Sequence, residues 1–367
     1  MRARSSSPVA LPDRAFTRIL LIKPSSLGDV VHGLPVLRAL RAKFPNARID
    51  WMVNTTFAPL LEHDPDITEL IRFDRKRYAR IGRSPGATAE FYRLVRDLRA
   101  KDYELSIDLQ GLFRTGFVSW ACGAGVRVGF REAREGARLF YTHWIDTPDP
   151  DMHAVDRNLR VAETLGFSDA PVRFDLAIPG HARSALRSLL EAYDIADADR
   201  VAVVAPGARW ETKLWPEDAF ARTMADLSRL EGIHCVLVGS ADEAGRCRRI
   251  AESSGRGINL AGRTPILPLA ALIDRADVVL CQDSAVAHLA AALNRPMVCL
   301  VGPTNPRRTG PYRRLEDVIR LPLDCSPCYF RKLSQCPHHH RCMNELSATT
   351  VVEALRSAMR RSCPSPG

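Results

Sequence analysis

The chain has 367 residues, 46% hydrophobic and 26% charged, and its 52 Lys and Arg against 42 Asp and Glu give a net charge of +10. That length predicts two domains, and the composition excludes wholesale disorder. No run approaches the ~20 apolar residues that a membrane-spanning helix needs. The basic balance suits nucleic acid, an anionic membrane surface or acidic substrates, and its plainest reading is a solvated Arg-rich face. No basic run is interleaved with aromatics, as a base-stacking groove requires, so no nucleic-acid partner is expected. The opening MRARSSSPVALPDRAF is basic and Ser-rich without an apolar core, so it reads as a leader and not a signal peptide, and a cytoplasmic protein is expected.

Along the chain, short apolar runs alternate with amphipathic ones. Strands are predicted at RILLIK (18–23), RIDWMV (48–53), ELIRF (69–73) and LSIDLQ (105–110). One helix is read through Val30, Leu34, Leu37, Leu40 and Phe44, and another through FYRLVRDLRAKD. A linker is read over 168–200, which contains Pro171, Pro179 and Gly180. Beyond it, strands are predicted at VAVVAP (201–206), HCVLVG (234–239), DVVLC (277–281) and PMVCLVG (296–302). Helices begin near Pro216, Asp242, Leu267 and Ser284, and a last one covers about 348–361. The alternation implies two α/β domains with parallel sheets covered on both faces, binding ligands at the carboxyl ends of their strands.

Three loops at such ends carry candidate chemistry. In KPSSLGDVVHG, the small residues Ser25, Ser26 and Gly28 open the way for backbone amides, and Asp29 stands at the mouth of a helix. Helix capping alone accounts for an aspartate there. The loop lacks GxGxxG, which counts against a nicotinamide-dependent oxidoreductase. In APGARWETKLWPEDAF, Lys213 lies between Trp210 and Trp215, placed either to neutralise a diphosphate or simply to meet solvent. In DVVLCQDSAVAHLAAAL, a buried strand runs into Asp283 and Ser284, where a helix begins. The amides of Ser284, Ala285 and Val286 then point outward at its positive end, an arrangement suited to phosphate. His288 shares the face of Ser284 one turn on; the bland reading makes Asp283 a cap and His288 a half-buried histidine.

With these residues in view, the chain resembles the lipopolysaccharide heptosyltransferases of glycosyltransferase family 9, from about residue 18 to the final helix. KPSSLGDVVHGLPVLRAL, IDLQGLFRTG, GFREAREGARLFY and HAVDRNLRVAETLGF are similar to blocks of the first domain, nearest the branch that adds the first heptose. TKLWPEDAF, LVGSADE and DSAVAHLAAALNRPMVCLVGPTNPRRTGPY are similar to blocks that hold the donor. The resemblance implies a GT-B architecture of two facing Rossmann-like domains: an acceptor domain over 1–178, a nucleotide-sugar domain over 179–345, and a helix and tail over 346–367. It implies inverting, metal-independent transfer of heptose from ADP-heptose to a lipid A–Kdo acceptor, with no cofactor. Asp29 falls on the general base and Lys213 on the lysine at the donor phosphates, making these two the implied catalytic residues. Glu243, Asp283, Ser284, Ala285 and His288 fall on donor contacts. Ser26, Gly28, Arg131 and Arg134 fall on the acceptor side.

Two features depart from the family's pattern. Family members commonly read Asp-Thr-Gly where this chain has Asp283, Ser284 and Ala285, which keeps the hydroxyl and adds a methyl. The segment CSPCYFRKLSQCPHHHRC sets Cys325, Cys328, Cys336 and Cys342 near three histidines, a set that suits structural zinc or reduced thiols without a metal. The remaining cysteines in strands read as small core residues. The implied partners are the nucleotide-sugar donor, a lipopolysaccharide precursor and, for a peripheral monomer on the cytoplasmic face of the inner membrane, an anionic lipid surface. The alternatives are a transferase of the same fold with another donor or acceptor, and a catalytically silent binding module.

Overall fold

The structure, a computed structural model, describes residues 15–167 and 171–362. The leader apart from residues 15 and 16, residues 168–170 of the linker, and Cys363 lie outside it. The described residues form two compact units that divide between residues 176 and 177.

The first unit is built on β1 (Arg18–Ile22), β2 (Arg48–Asn54), β3 (Glu69–Phe73), β4 (Leu105–Asp108), β5 (Val126–Phe130) and β6 (His143–Ile145). All pairings are parallel, in the order β3-β2-β1-β4-β5-β6. The second unit repeats the plan with β7 (Val201–Ala205), β8 (His234–Leu237), β9 (Gly257–Asn259), β10 (Val278–Gln282), β11 (Met297–Leu300) and β12 (Val318–Ile319), in the order β12-β11-β10-β7-β8-β9. This is the expected α/β class with two Rossmann-like parallel sheets.

The central strands are apolar on both faces because helices cover both. Ile19, Leu20, Leu21 and Ile22 of β1 and all five residues of β7 are buried. One core of the first unit gathers Leu20, Ile22, Met52, Ile71, Phe73, Leu98 and Val118. In the second, Val351, Leu355 and Met359 of the final helix (Ala348–Ser362) join Val298, Leu300, Phe220 and Leu237. All eight predicted strands are present, and the structure adds four short ones, β5, β6, β9 and β12.

Two expectations need correction. The helix read through Val30 to Phe44 is two helices, Leu27–Val31 and Leu34–Lys43. Pro35 has no N–H for the Val31 carbonyl four residues earlier, and its ring clashes there. The stretch read as a linker contains a helix, Gly180–Glu191, which buries Ala182, Leu186 and Leu190. That four-residue spacing is a helical stripe that the flanking Pro179 and Gly180 obscure.

The Leu34–Lys43 helix also buries a charge. Arg38 donates to both Asp64 oxygens at 2.6 and 2.5 Å and to Asp66 at 2.6 Å. Burial works against the guanidinium charge, but the two carboxylates outweigh it and push its pKa up. Arg38→Ala would leave buried Asp64 uncompensated, so urea unfolding should show a loss of ~3–5 kcal/mol. A loss below about 1 kcal/mol would mean the pair contributes no more than a surface salt bridge.

Candidate active site

In an open parallel sheet, ligands bind beyond the carboxyl ends of the strands, where the strand order reverses. In the first unit that point lies between β1 and β4, and in the second between β7 and β10. The candidate residues collect at these two points.

After β1 the chain turns through Lys23, Pro24, Ser25 and Ser26 into the Leu27–Val31 helix. Asp29 is the third residue of that helix. Its Oδ2 accepts the Ser26 N–H at 2.9 Å and the Ser26 hydroxyl at 2.7 Å. The capping reading of Asp29 is therefore realised, yet its side chain remains 42% accessible. Lys23, which the sequence reading left as a strand end, is its buried counter-charge: Nζ stands 3.5 Å from Asp29 Oδ1 and donates to the Leu109 carbonyl at 2.8 Å. One lysine thus ties the two strand ends at the reversal point together.

Burial alone would raise the Asp29 pKa, but Lys23, the Ser26 bonds and His32 outweigh it and hold the carboxyl well below the usual range. A carboxylate offers about four acceptor sites. Ser26 and Lys23 occupy three of them, leaving room for one further donor such as a substrate hydroxyl.

The neighbouring loop is fixed from below. Buried Asp108 at the end of β4 accepts the amides of Gln110 and Gly111 at 2.8 and 3.2 Å and the Tyr141 hydroxyl at 2.7 Å. Tyr141 gets there because β5 carries Gly129, where any Cβ would overlap the tyrosine ring. Gly28 is buried and Ser26 exposed beside Asp29. Arg131 is paired with Asp146 and stacks over Trp144 at 5.4 Å, so its charge is already met. Arg134 is exposed and its side chain has no partner among the described residues, while its amide holds the Gly111 carbonyl at 2.9 Å. Of the two arginines, Arg134 is the one free to meet an anion.

In the second unit, Lys213 follows β7 and Asp283 follows β10. Lys213 Nζ donates to Asp283 Oδ2 at 2.6 Å and to its backbone carbonyl at 3.3 Å, and lies 4.6 Å from the centre of the Trp210 ring. The Thr304 hydroxyl donates to the same Oδ2 at 2.6 Å. Asp283 thus acts on Lys213, and the ammonium keeps one of its three donors for a ligand.

Ser284 stands at the N-cap of the eight-residue helix Ala285–Ala292 in extended conformation without a side-chain capping bond; its carbonyl accepts the Ala287 amide at 3.1 Å, and the amides of Ala285 and Val286 have no acceptor within the helix. Two buried oxygens here, Ser284 Oγ and Gln282 Oε1, have no partner among the described residues. Orphaned buried oxygens call for an explanation, and a ligand offering hydrogen-bond donors supplies one. Ala285 is the first helical residue, where the backbone suits an L-residue, so the departure from glycine costs no strain. His288 stands half-buried on the same helix.

Glu243, beyond β8, accepts the Ser240 N–H and hydroxyl at 2.7 and 3.0 Å. It lies over Gly207, where a methyl would overlap its carboxylate, and so sits beside the loop that leads to Lys213. The structure brings Lys213, Asp283 and Ser284 together at the reversal point, with Glu243 one strand away. Thr304 and Gln282 were missed in the sequence. Gln282 precedes the flagged Asp283, and Thr304 lies within a block likened to donor-holding ones without being singled out.

Cys325, Cys328, Cys336 and Cys342 line one cavity of about 250 Å³. Among the described residues no three His, Cys, Asp or Glu side chains are grouped as metal ligands, so the four thiols stand in one cavity as separate side chains. Burial, then the neighbouring thiols, push Cys342 up to about 11. Cys235, Cys281 and Cys299 are buried in strands, as read.

A paired parallel-sheet fold with a lysine, an exposed helix N-terminus and orphaned oxygens at a switch point defines a binder of phosphorylated ligands. Comparison with known proteins narrows that class. Residues 91–339 match the model of glycosyltransferase family 9 (heptosyltransferase), and the chain belongs to that family. It is accordingly a glycosyltransferase. Lipopolysaccharide heptosyltransferase 1 of Escherichia coli O18:K1:H7 is 31% identical over 83% of this chain and 92% of its own length. The Pseudomonas aeruginosa protein of the same name is 32% identical over 85% and 86%. The structure of E. coli heptosyltransferase WaaC with ADP-2-deoxy-2-fluoro heptose superposes with a TM-score of 0.71 at 26% identity, covering 93% of this chain and 99% of that one.

Because the folded Asp29 carboxyl is depressed, its contribution to stability is present above the ordinary carboxylate range and lost as pH falls through its lowered value. Lys23→Met removes the opposing charge and leaves the burial. Carbon-13 NMR titration should show the Asp29 pKa rising in that variant, and an unchanged titration would remove Lys23 as the cause.

Proposed function

We propose that this enzyme transfers a heptose from ADP-heptose to the inner core of a lipopolysaccharide precursor, a lipid A–Kdo acceptor, with inversion at the anomeric carbon. The observation that carries this reading is the accessible, ionised Asp29 with one acceptor site open, at the switch point of the first sheet. The relatives' names supply the sugar, and the ADP-sugar analogue in the WaaC structure supports the donor class.

The first unit serves the acceptor. Asp29 takes the proton of the attacking hydroxyl as the new bond to the anomeric carbon forms, help typically worth ~10²–10⁴ in rate. Lys23 keeps Asp29 ionised, Ser26 holds its orientation, and Ser26, Gly28 and Arg134 line the approach. Arg131 serves indirectly, because Asp146 already holds it.

The second unit serves the donor. As the bond from the anomeric carbon to phosphate oxygen breaks, ADP leaves with its negative charge. Lys213 and the first amides of the Ala285–Ala292 helix meet that charge. Ser284 Oγ and Gln282 Oε1 accept from donor hydroxyls, Glu243 meets the nucleotide ribose, and His288 completes the pocket. The chain works at the cytoplasmic face of the inner membrane as a peripheral protein; among the described residues no helix is long and apolar enough to cross a bilayer. No metal is required, so turnover should persist in chelator.

Two substitutions test the division of labour by ADP release and product formation. Asp29→Asn keeps an oxygen for the Ser26 amide and so preserves the helix start while removing the base. It should lower kcat by about 10²–10⁴ with the donor KM within a few-fold, and wild-type turnover would eliminate Asp29 as base. Lys213→Ala should raise the donor KM and lower kcat. Unchanged values for both would make Lys213 a surface lysine.

A further inference from the structure

The described residues expose eight large hydrophobic side chains: Tyr92, Phe113, Trp120, Leu139, Leu230, Leu315, Tyr329 and Leu333. Three of the eight gather on one patch of the first unit. The Phe113–Ala121 helix carries Phe113, Phe117 and Trp120 at spacings of four and three, a single stripe along one face. The turn Ala137–Phe140 adds Leu139 and Phe140. Phe140 stands 5.4 Å from Phe113, 6.0 Å from Phe117 and 6.4 Å from Trp120, ring centre to ring centre. Phe91 of the adjoining helix stacks on Phe117 at 6.0 Å. Leu139 is 85% exposed, Phe113 50% and Trp120 46%.

The core side of this helix is filled by Thr115, Val118 and Ala121, so the aromatic stripe lies on the other side, where Phe113 and Trp120 stay exposed beside Phe140. Clustered exposed aromatics mark an interaction surface. Its rim is basic. Arg114 and Arg138, each next in sequence to a patch residue, are exposed and have no side-chain partner among the described residues. The one carboxylate bonded to the stripe, Glu135, accepts the Phe113 amide at 3.2 Å.

We propose that this aromatic stripe and its two unpaired arginines dock the enzyme on an anionic lipid bilayer. Tryptophan and phenylalanine place rings at the headgroup level while guanidinium groups meet phosphates. A second copy of the chain fits less well, since a two-fold contact on this patch brings the same unpaired arginines together. The stripe also starts at the site. Its helix follows the loop after β4, whose Leu109 carbonyl binds Lys23, the partner of Asp29. The docking face therefore adjoins the strand ends where a membrane-embedded acceptor must arrive. This inference rests on the lipid-linked acceptor proposed above and adds the surface that meets the lipid.

The full chain is sedimented with vesicles of phosphatidylcholine, with and without phosphatidylglycerol. Wild type should bind only those containing phosphatidylglycerol. Trp120→Ser with Leu139→Ser should weaken binding more than about tenfold, and Arg114→Gln with Arg138→Gln about fivefold per arginine. The arginine pair lies on exposed side chains, so it tests the surface even if the first variant folds poorly. Turnover on a deacylated, water-soluble acceptor should be unchanged in both. Absent wild-type binding, unaltered binding in the arginine variant, or a patch variant that turns a dimer into a monomer while still binding vesicles would overturn the proposal. Patch-dependent binding without turnover on the soluble acceptor would instead overturn the proposed reaction and leave the docking face standing.

Discussion

Two lysines, Lys23 buried and Lys213 partly so, are each held against an aspartate where strand order reverses, and the candidate chemistry of this molecule is built on them. Lys23 faces Asp29 and clamps the Leu109 carbonyl, and Lys213 faces Asp283 and its carbonyl. A desolvated ammonium is costly unless paired and hydrogen-bonded. Each lysine therefore holds a backbone carbonyl of the loop that partners it. The pairs differ in which member is presented. Asp29 is the accessible partner in the first, whereas in the second Asp283 is the more buried and Lys213 keeps a donor to spare. In the proposed reaction that difference gives the first unit its base and the second its anion receptor.

Both arrangements depend on the same local economy of hydrogen bonds. Asp29 serves at once as helix cap, ion-pair partner and candidate base, because a carboxylate has enough acceptor sites for all three. Asp108 does only structural work: fully buried, it spends its acceptors on Tyr141, Gln110 and Gly111. Asp108 ends β4 and Asp29 stands in the helix that follows the adjacent β1, and accessibility separates them.

The sequence carried the architecture because buried parallel strands are written as unbroken apolar runs, as in RILLI and VAVVA. It did not carry β9 or β12, whose three and two residues are too short for any pattern. Asp29, Lys213 and Asp283 stood out as candidates by their places between strand and helix, and only the family resemblance gave them roles. Their partners were not. Lys23 read as a strand end, and the Lys213–Asp283 contact joins residues 70 positions apart, which no local pattern reveals. The cysteine segment was open in the sequence between zinc and reduced thiols, and the fold adds that its four cysteines line a single cavity. The aromatic stripe was likewise hidden, because Phe113, Phe117 and Trp120 resemble any buried helical face until the structure shows Phe113 and Trp120 exposed.

The most direct test of the central claim is the mass spectrum of the acceptor after incubation of the full chain with ADP-heptose and a lipid A–Kdo acceptor in chelator. The account predicts an acceptor heavier by one heptose, with one ADP released for each product formed. An unmodified acceptor, or modification only when another nucleotide sugar replaces ADP-heptose, would contradict it.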